Sequence, residues 1–355
     1  MSHVPYNAYI LEKDRLLPWL EDLRSDYRLV GPVVEEGFPA FREVESTHEL
    51  ALDYGLTMMG PQTHIYRLTE KVATIHRNNG GFSVESLDSV EPQVLLGVHS
   101  CDLHAILVLD KVFLHQQIKD RNYRLRRENT VLMGYHCTTV CSQCFCASMG
   151  TGPFFEPKEG YDFLFTDLGE VYLAETLGPR AEQLISPLRP RKAHEKHFRK
   201  KEELGRTLLS RFTKRIDTGS LVQSILRNQN HPVWRRTAEE RCLGCTNCTM
   251  VCPTCFCYNL KDEMSFDLEH CERVRYKDSC QELHFAEVSG GNFRQTRQAR
   301  LRQFVTHKLA TWWEQFGCFG CIGCGRCMTW CPTKIDLTEM AKEIMATERH
   351  AVQHG

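Results

Sequence analysis

Cys242-Leu243-Gly244-Cys245-Thr246-Asn247-Cys248-Thr249-Met250-Val251-Cys252-Pro253 and Cys321-Ile322-Gly323-Cys324-Gly325-Arg326-Cys327-Met328-Thr329-Trp330-Cys331-Pro332 spell one pattern twice, C-x2-C-x2-C-x3-C-P. That spacing wraps a cubane [4Fe-4S] cluster. The two-residue gaps curl a loop so that three thiolates reach three irons, and the fourth cysteine ligates the other cluster. The ligands are therefore expected to cross, with cluster A on Cys242, Cys245, Cys248 and Cys331 and cluster B on Cys321, Cys324, Cys327 and Cys252. A proline suits the first turn of a helix, so Cys252 and Cys331 are expected at helix starts. Paired zinc sites are the bland alternative, but zinc takes C-x2-C knuckles in separated pairs and closes at four ligands. A disulfide framework would not fall at this spacing twice.

The rest of the composition is that of an ordinary globular chain. Its 355 residues carry a net charge of -1, with 42% hydrophobic and 25% charged residues, which gives no general pull toward nucleic acid or an anionic membrane. The 18 cysteines cluster in runs and none precedes Cys101, which argues for metal rather than disulfides. Met1 to Asn7 shows no basic region followed by an apolar core, and no apolar run reaches the ~18 residues of a membrane span. A cytoplasmic location is expected.

From the first residues onward, 8–30 reads as a helix with Trp19, Leu20, Leu23 and Tyr27 on one side, ending at Gly31-Pro32. Short strand-like pieces follow at Phe38 to Val44 and Val72 to Ile75, with turns at Gly60-Pro61 and Asn78-Asn79-Gly80-Gly81. Gln93 to Val98 reads as a compact buried strand. A helix from Ser100 carries Leu103, Ile106, Leu107, Leu109 and Val112, and Thr130 to Tyr135 is expected as the next, parallel strand. Tyr161 to Phe165 and Glu170 to Ala174 add two more, joined at Asp167-Leu168-Gly169. Helices are expected at 202–214 and 218–229; Arg189 to Lys201 reads as a solvated helix or linker, or else a docking face for an acidic partner. The 68 residues between Cys252 and Cys321 need helices of their own, Asn292 to Trp313 being the candidate, and Pro332 to Ala346 closes the chain as another. The fold class is α+β. A mixed α/β domain over 1–180 and a helical linker over 181–235 precede a mostly helical, α-helical ferredoxin-like two-cluster domain over 236–355.

A second group of cysteines lies in the first domain, Cys101 after one strand and Cys137, Cys141, Cys144 and Cys146 after the next. Neighbouring parallel strands would release both loops at the same carboxyl edge, where open α/β sheets place ligands. A third [4Fe-4S] cluster is therefore expected on Cys101, Cys137, Cys144 and Cys146 with Cys141 spare, structural zinc and free thiols being the alternatives. Cys255 and Cys257 read as packing against a completed cubane rather than ligating it. Cys318 offers a shifted register for cluster B, which the position of Pro332 opposes, while Cys271 and Cys280 have no assigned partner. Gly290-Gly291-Asn292-Phe293-Arg294 is either a phosphate cradle or a close-packed turn. No Rossmann glycine pattern, Walker loop, nickel-binding cysteine pairs or sirohaem pattern is present, so the chain is expected to move electrons without bond-making chemistry of its own.

Several stretches together resemble one family of iron–sulfur electron-transfer subunits. They are Gly97-Val98-His99-Ser100-Cys101-Asp102-Leu103, Leu109-Asp110-Lys111-Val112-Phe113, Cys144-Phe145-Cys146 with Gly150-Thr151-Gly152-Pro153, Tyr161-Asp162 through Gly169, Cys252-Pro253-Thr254-Cys255-Phe256-Cys257, Asp278-Ser279-Cys280, Gly290 to Arg294 and Gly323 to Cys327. That family holds the beta subunit of cytoplasmic NAD(P)-linked [NiFe] hydrogenases (sulfhydrogenases) and the corresponding iron–sulfur subunit of anaerobic sulfite reductase. The resemblance implies a subunit standing between a flavin- and NAD(P)-binding diaphorase and the small and large hydrogenase subunits, with the sirohaem sulfite reductase as runner-up. His136 and Cys141 depart from the family's pattern. Readings of other classes are a stand-alone ferredoxin-like carrier or redox sensor, and an enzyme with its own flavin in the α/β domain.

Overall fold

Gln93–Val98 and Thr130–Tyr135 are buried along their whole length, as strands covered on both faces must be. They form β6 and β7 at the centre of an eight-stranded mixed sheet. The computed structural model describes residues 6–86 and 89–354; the first five residues of the Met1 to Asn7 stretch read above lie outside them. The other strands of that sheet are β1 (Tyr6–Glu12), β2 (Arg28–Glu35), β3 (Phe38–Glu43), β8 (Phe163–Asp167), β9 (Val171–Leu177) and β10 (Arg191–Lys192). Their order is β10-β1-β9-β8-β7-β6-β2-β3. The four central strands β8, β7, β6 and β2 run parallel, and the flanks are antiparallel.

Alternation along β6 sends Val94 and Leu96 to one face and Leu95 to the other. On the first face lie Leu16, Trp19, Leu20 and Leu23 of α1 (Lys13–Leu23), with Ala181 and Ile185 of α4 (Gly178–Ile185). On the second lie Leu103, Ile106 and Leu109 of α2 (Ser100–Phe113) and Tyr123 of α3 (Arg121–Glu128). The expected parallel pairing of β6 with β7 is present, so the loops carrying Cys101 and Cys137 leave the same edge.

The region before β6 differs from expectation. Residues 8–12 belong to β1 rather than to a helix, and Gly31-Pro32 lies inside β2. Tyr9, Ile10 and Leu11 continue the apolar spacing of α1, so periodicity merged the two elements; pairing with β9 separates them.

Further along come α5 (Glu195–Ser210), α6 (Leu221–Arg227) and α7 (Pro232–Glu240). Beyond residue 236 the chain is not purely helical. Besides α8 (Asn247–Met250), α9 (Arg297–Thr306), α10 (Trp312–Phe316), α11 (Arg326–Thr329) and α12 (Leu337–His354), it carries a hairpin, β11 (Tyr258–Met264) and β12 (His270–Lys277). This hairpin completes a second sheet, β11-β12-β4-β5, with β4 (Thr69–Asn78) and β5 (Gly81–Ser86). Its strands were illegible because β11 is exposed throughout and lacks a core-facing stripe; it forms by pairing with β12, which in turn pairs with β4.

The second sheet is fastened to α3 by a buried ion network. Glu70 on β4 accepts from Arg126 and from Arg275 of β12, the latter with Nε at 3.0 Å, and Asn122 Nδ2 donates to it at 3.1 Å. Burial alone would raise the Glu70 carboxyl. The two guanidiniums reverse that and hold it below its ordinary value. Glu70→Gln leaves Arg126 buried without a carboxylate, while Arg275 keeps Asp120, and the unfolding free energy is expected to drop by about 3 kcal/mol. A carboxyl held low in the folded state contributes stability that is complete above its unfolded value of about 4.3 and disappears as pH falls through the folded value. Acid titration of stability should therefore lose this component in Glu70→Gln.

Candidate metal centres

Each cysteine run folds as a loop that turns left-handed on both sides of its second cysteine. Gly244 and Thr246 have φ of 67° and 67°, and Gly323 and Gly325 have 67° and 78°. Glycine adopts these angles without strain, and Thr246 is the exception. The same backbone thus recurs in both runs. The third cysteines, Cys248 and Cys327, sit in the short helices α8 and α11. Cys252 and Cys331 follow those helices rather than starting new ones, contrary to expectation, and α12 begins only at Leu337. The tight turn at each Cys-Pro, not a helix start, accommodates the proline.

Cys242, Cys245, Cys248 and Cys331 line one cavity, which brings the fourth cysteine of the second run to the first three of the first run. Cys327 borders the same cavity. Its walls are apolar, with Leu301, Phe304 and Val305 from α9 and Leu337 and Met340 from α12. Gln281 also lines it, and both polar atoms of its buried amide are unpaired among the described residues. Burial pushes the Cys248 thiol up, and Cys242, Cys245, Cys252 and Cys331 push it further.

The second group is assembled the same way. Burial raises Cys327, and Cys321, Cys252, Cys324 and Cys248 add to the shift. Burial takes Cys321 to about 12, with Cys252 and Cys324 among its neighbours, and takes Cys324 to about 11, again with Cys252 nearby. Cys252 therefore faces the second run, and Cys248 and Cys327 lie where the two groups meet. Both fourth cysteines stand in a Cys-Pro-Thr turn: Cys252 Sγ is 3.3 Å from Thr254 Oγ1, and Cys331 Sγ is 3.4 Å from Thr333 Oγ1. The Gly323 N–H donates to Cys321 Sγ at 3.4 Å and the Ile335 N–H to Cys331 Sγ at 3.3 Å. The repeated Cys-Pro-Thr is the sequence signal for the two hydroxyls, and cysteine spacing alone does not point to it.

Buried thiols with raised pKa values stay protonated unless a cationic core takes the thiolate charge. Four sulfurs, an apolar wall, amide donors to sulfur and an orphaned buried amide fit a thiolate-bound cluster. Among the described residues no three His, Cys, Asp or Glu side chains close on a single-ion position. Cubane thiolates address four separate irons, so the two groups do not need to.

The third group lies against the second run. Burial raises Cys101, with Asp102, Cys324 and Cys146 adding to it, and takes Cys146 to about 12, with Cys324 next in effect. Cys137 is raised by burial and then by Cys146 and Cys141. Cys144 Sγ donates to the Cys324 carbonyl at 3.4 Å, and the neighbouring Cys141 raises the Cys144 thiol while being lowered itself to about 7. His136 has its own partners: its Nε2 accepts from the Phe155 N–H at 3.1 Å and its Nδ1 lies 2.8 Å from Thr166 Oγ1. The loops of the two groups interlock. The Phe145 N–H donates to the Gly323 carbonyl at 2.8 Å, and Thr151 Oγ1 donates to the Ile322 carbonyl at 2.5 Å. A Cβ on Gly325 would stand 2.4 Å from the Gln143 carbonyl oxygen. Arg326 then reaches Asp102, beside Cys101, with Nη1–Oδ1 at 2.6 Å and Nη2–Oδ2 at 2.9 Å.

The remaining cysteines divide. Cys255 and Cys280 are buried in the core that includes Cys242, with Cys252 and Cys257 packed against it. Cys318 is raised by burial and faces Lys111. Cys271, on β12, stands opposite Ile75 of β4 and Met264 of β11.

A family model described as a 4Fe-4S dicluster domain matches residues 241–335. Sulfhydrogenase 2 subunit beta of Pyrococcus furiosus is 31% identical over 324 residues, which cover 91% of this chain and 93% of that protein. No solved structure matches the chain. Among the described residues no helix is long and apolar enough to cross a membrane.

Proposed function

The chain belongs to the sulfhydrogenase beta-subunit family, and from that premise we propose that it relays electrons between an NAD(P)H-oxidising flavoprotein subunit and a [NiFe] hydrogenase module. Its iron–sulfur electron-transfer role is supported by the dicluster domain. The observation that carries the proposal is the crossing of the fourth cysteines, with Cys331 in the cavity of the first run and Cys252 facing the second. Crossed ligands hold two cubes side by side. Each cube, when bound, supplies a one-electron site.

The chain's own residues do the rest. Cys242, Cys245, Cys248 and Cys331 hold cluster A, and Cys321, Cys324, Cys327 and Cys252 hold cluster B. Leu301, Phe304 and Met340 give the first cavity an apolar inner wall, while Cys245 lies at its exposed side. Thr333 and the Ile335 N–H present donors to Cys331. Water exclusion and hydrogen bonds to sulfur are two of the means by which a protein sets cluster potentials. Cys101, Cys137, Cys144 and Cys146 are proposed to hold a third [4Fe-4S] cluster next to cluster B, supported by the nearness of Cys101 and Cys146 to Cys324. Cys146→Ser should then lower iron from about twelve to about eight per chain, and unchanged iron contradicts the third site.

We read the chain as a docking domain over 1–180, a linker over 181–235 and a ferredoxin-like electron-carrying domain over 236–355, working in the cytoplasm. Expressed with its neighbouring chains, it should co-purify with a flavin-containing and a nickel-containing chain, and NAD(P)H should reduce its clusters only when the flavoprotein is present. A sirohaem chain in place of nickel would select the sulfite reductase reading. A stable monomer that exchanges electrons without companions would remove the subunit reading.

A further inference from the structure

Lys308 is an ammonium buried beside sulfurs. It lies in the π-helical segment His307–Thr311, and such local widenings recur at functional sites. The residue is 3% exposed. Its Nζ donates to Thr254 Oγ1 at 2.9 Å, and that same oxygen is 3.3 Å from Cys252 Sγ. The Thr254 hydroxyl donates in turn to the carbonyl of Gly320, the residue before Cys321, at 2.6 Å. One hydroxyl thus ties the ammonium to both segments expected to hold cluster B.

An ammonium taken out of water is costly unless negative charge faces it. The negative charge nearest Lys308 is that of Cys252 Sγ once it ligates a cluster, reached through the shared Thr254 hydroxyl. Lys277 is buried nearby and faces Cys255, Cys252 and Cys257 as well, but its ammonium donates to the carbonyls of Met250 and Cys252 at 2.8 and 3.4 Å and not to the hydroxyl that touches Cys252 Sγ.

We propose that Lys308 is a buried cation that raises the reduction potential of the cluster on Cys252, Cys321, Cys324 and Cys327. The inference rests on the assignment of that cluster. Reduction adds one electron and one negative charge to the cluster, and a fixed positive charge beside two of its thiolates favours that state.

The test is an anaerobic redox titration of the full chain followed by electron paramagnetic resonance, with cluster B identified as the signal altered by Cys324→Ser. In Lys308→Met and Lys308→Gln the one-electron reduction constant of cluster B should fall at least about tenfold, equivalent to about 59 mV, with the cluster A signal unmoved. An unchanged potential with both clusters bound overturns the proposal. So does loss of cluster B in both variants, because the charge would then serve assembly rather than potential. Wild-type protein without cubane signals would instead overturn the cluster assignment, and the proposal with it.

Discussion

Serine in place of Cys331 is expected to abolish the cluster of the other run. Iron should fall by about four per chain, and the spectrum lost should match that lost in Cys242→Ser. Cys252→Ser should pair in the same way with Cys321→Ser. The reason is geometric: Cys331 lines the cavity of Cys242, Cys245 and Cys248, whereas Cys321 and Cys324 of its own run are not among that cavity's walls. Electron flow from NAD(P)H through the complex should fall to the level seen without this chain, while the partners stay bound. If Cys331→Ser and Cys321→Ser removed the same spectrum, each run would be closing its own cluster and the crossed arrangement would be wrong.

The second large effect is on stability. Arg326 and Asp102 are each 1% exposed, and Arg326 also donates to the Thr57 carbonyl at 2.8 Å and to Thr57 Oγ1 at 3.0 Å. Arg326→Met leaves a buried carboxylate unopposed, and the unfolding free energy should drop by about 3–5 kcal/mol in anaerobic denaturant titrations. Adding Asp102→Leu removes the stranded charge and should recover much of that loss. A double variant as unstable as the single one would mean that packing, not charge, holds the two cysteine loops together.

The cysteine runs were legible because cluster ligation demands both residue type and spacing, and glycine at the left-handed positions leaves a visible trace. β6, α2 and β7 were legible for a related reason, since a fully buried strand reads as an uninterrupted apolar run. What escaped depended on partners distant in sequence. β1 became a strand through pairing with β9, and β11 through β12. The burial of Lys308 could not be read either, because a lysine in a helical stretch ordinarily faces water. Its environment is supplied by Thr254 and Cys252, far back along the chain in the first cysteine run and the turn that follows it. Arg326 was equally hidden: its place inside a cysteine run gave no sign that Asp102 waited for it.

Iron, acid-labile sulfide and zinc measured on the anaerobically purified chain test most directly whether it holds paired cubanes. At least about eight irons and eight sulfides per chain, with negligible zinc, are expected. About four or fewer irons, or zinc without sulfide, would contradict the account.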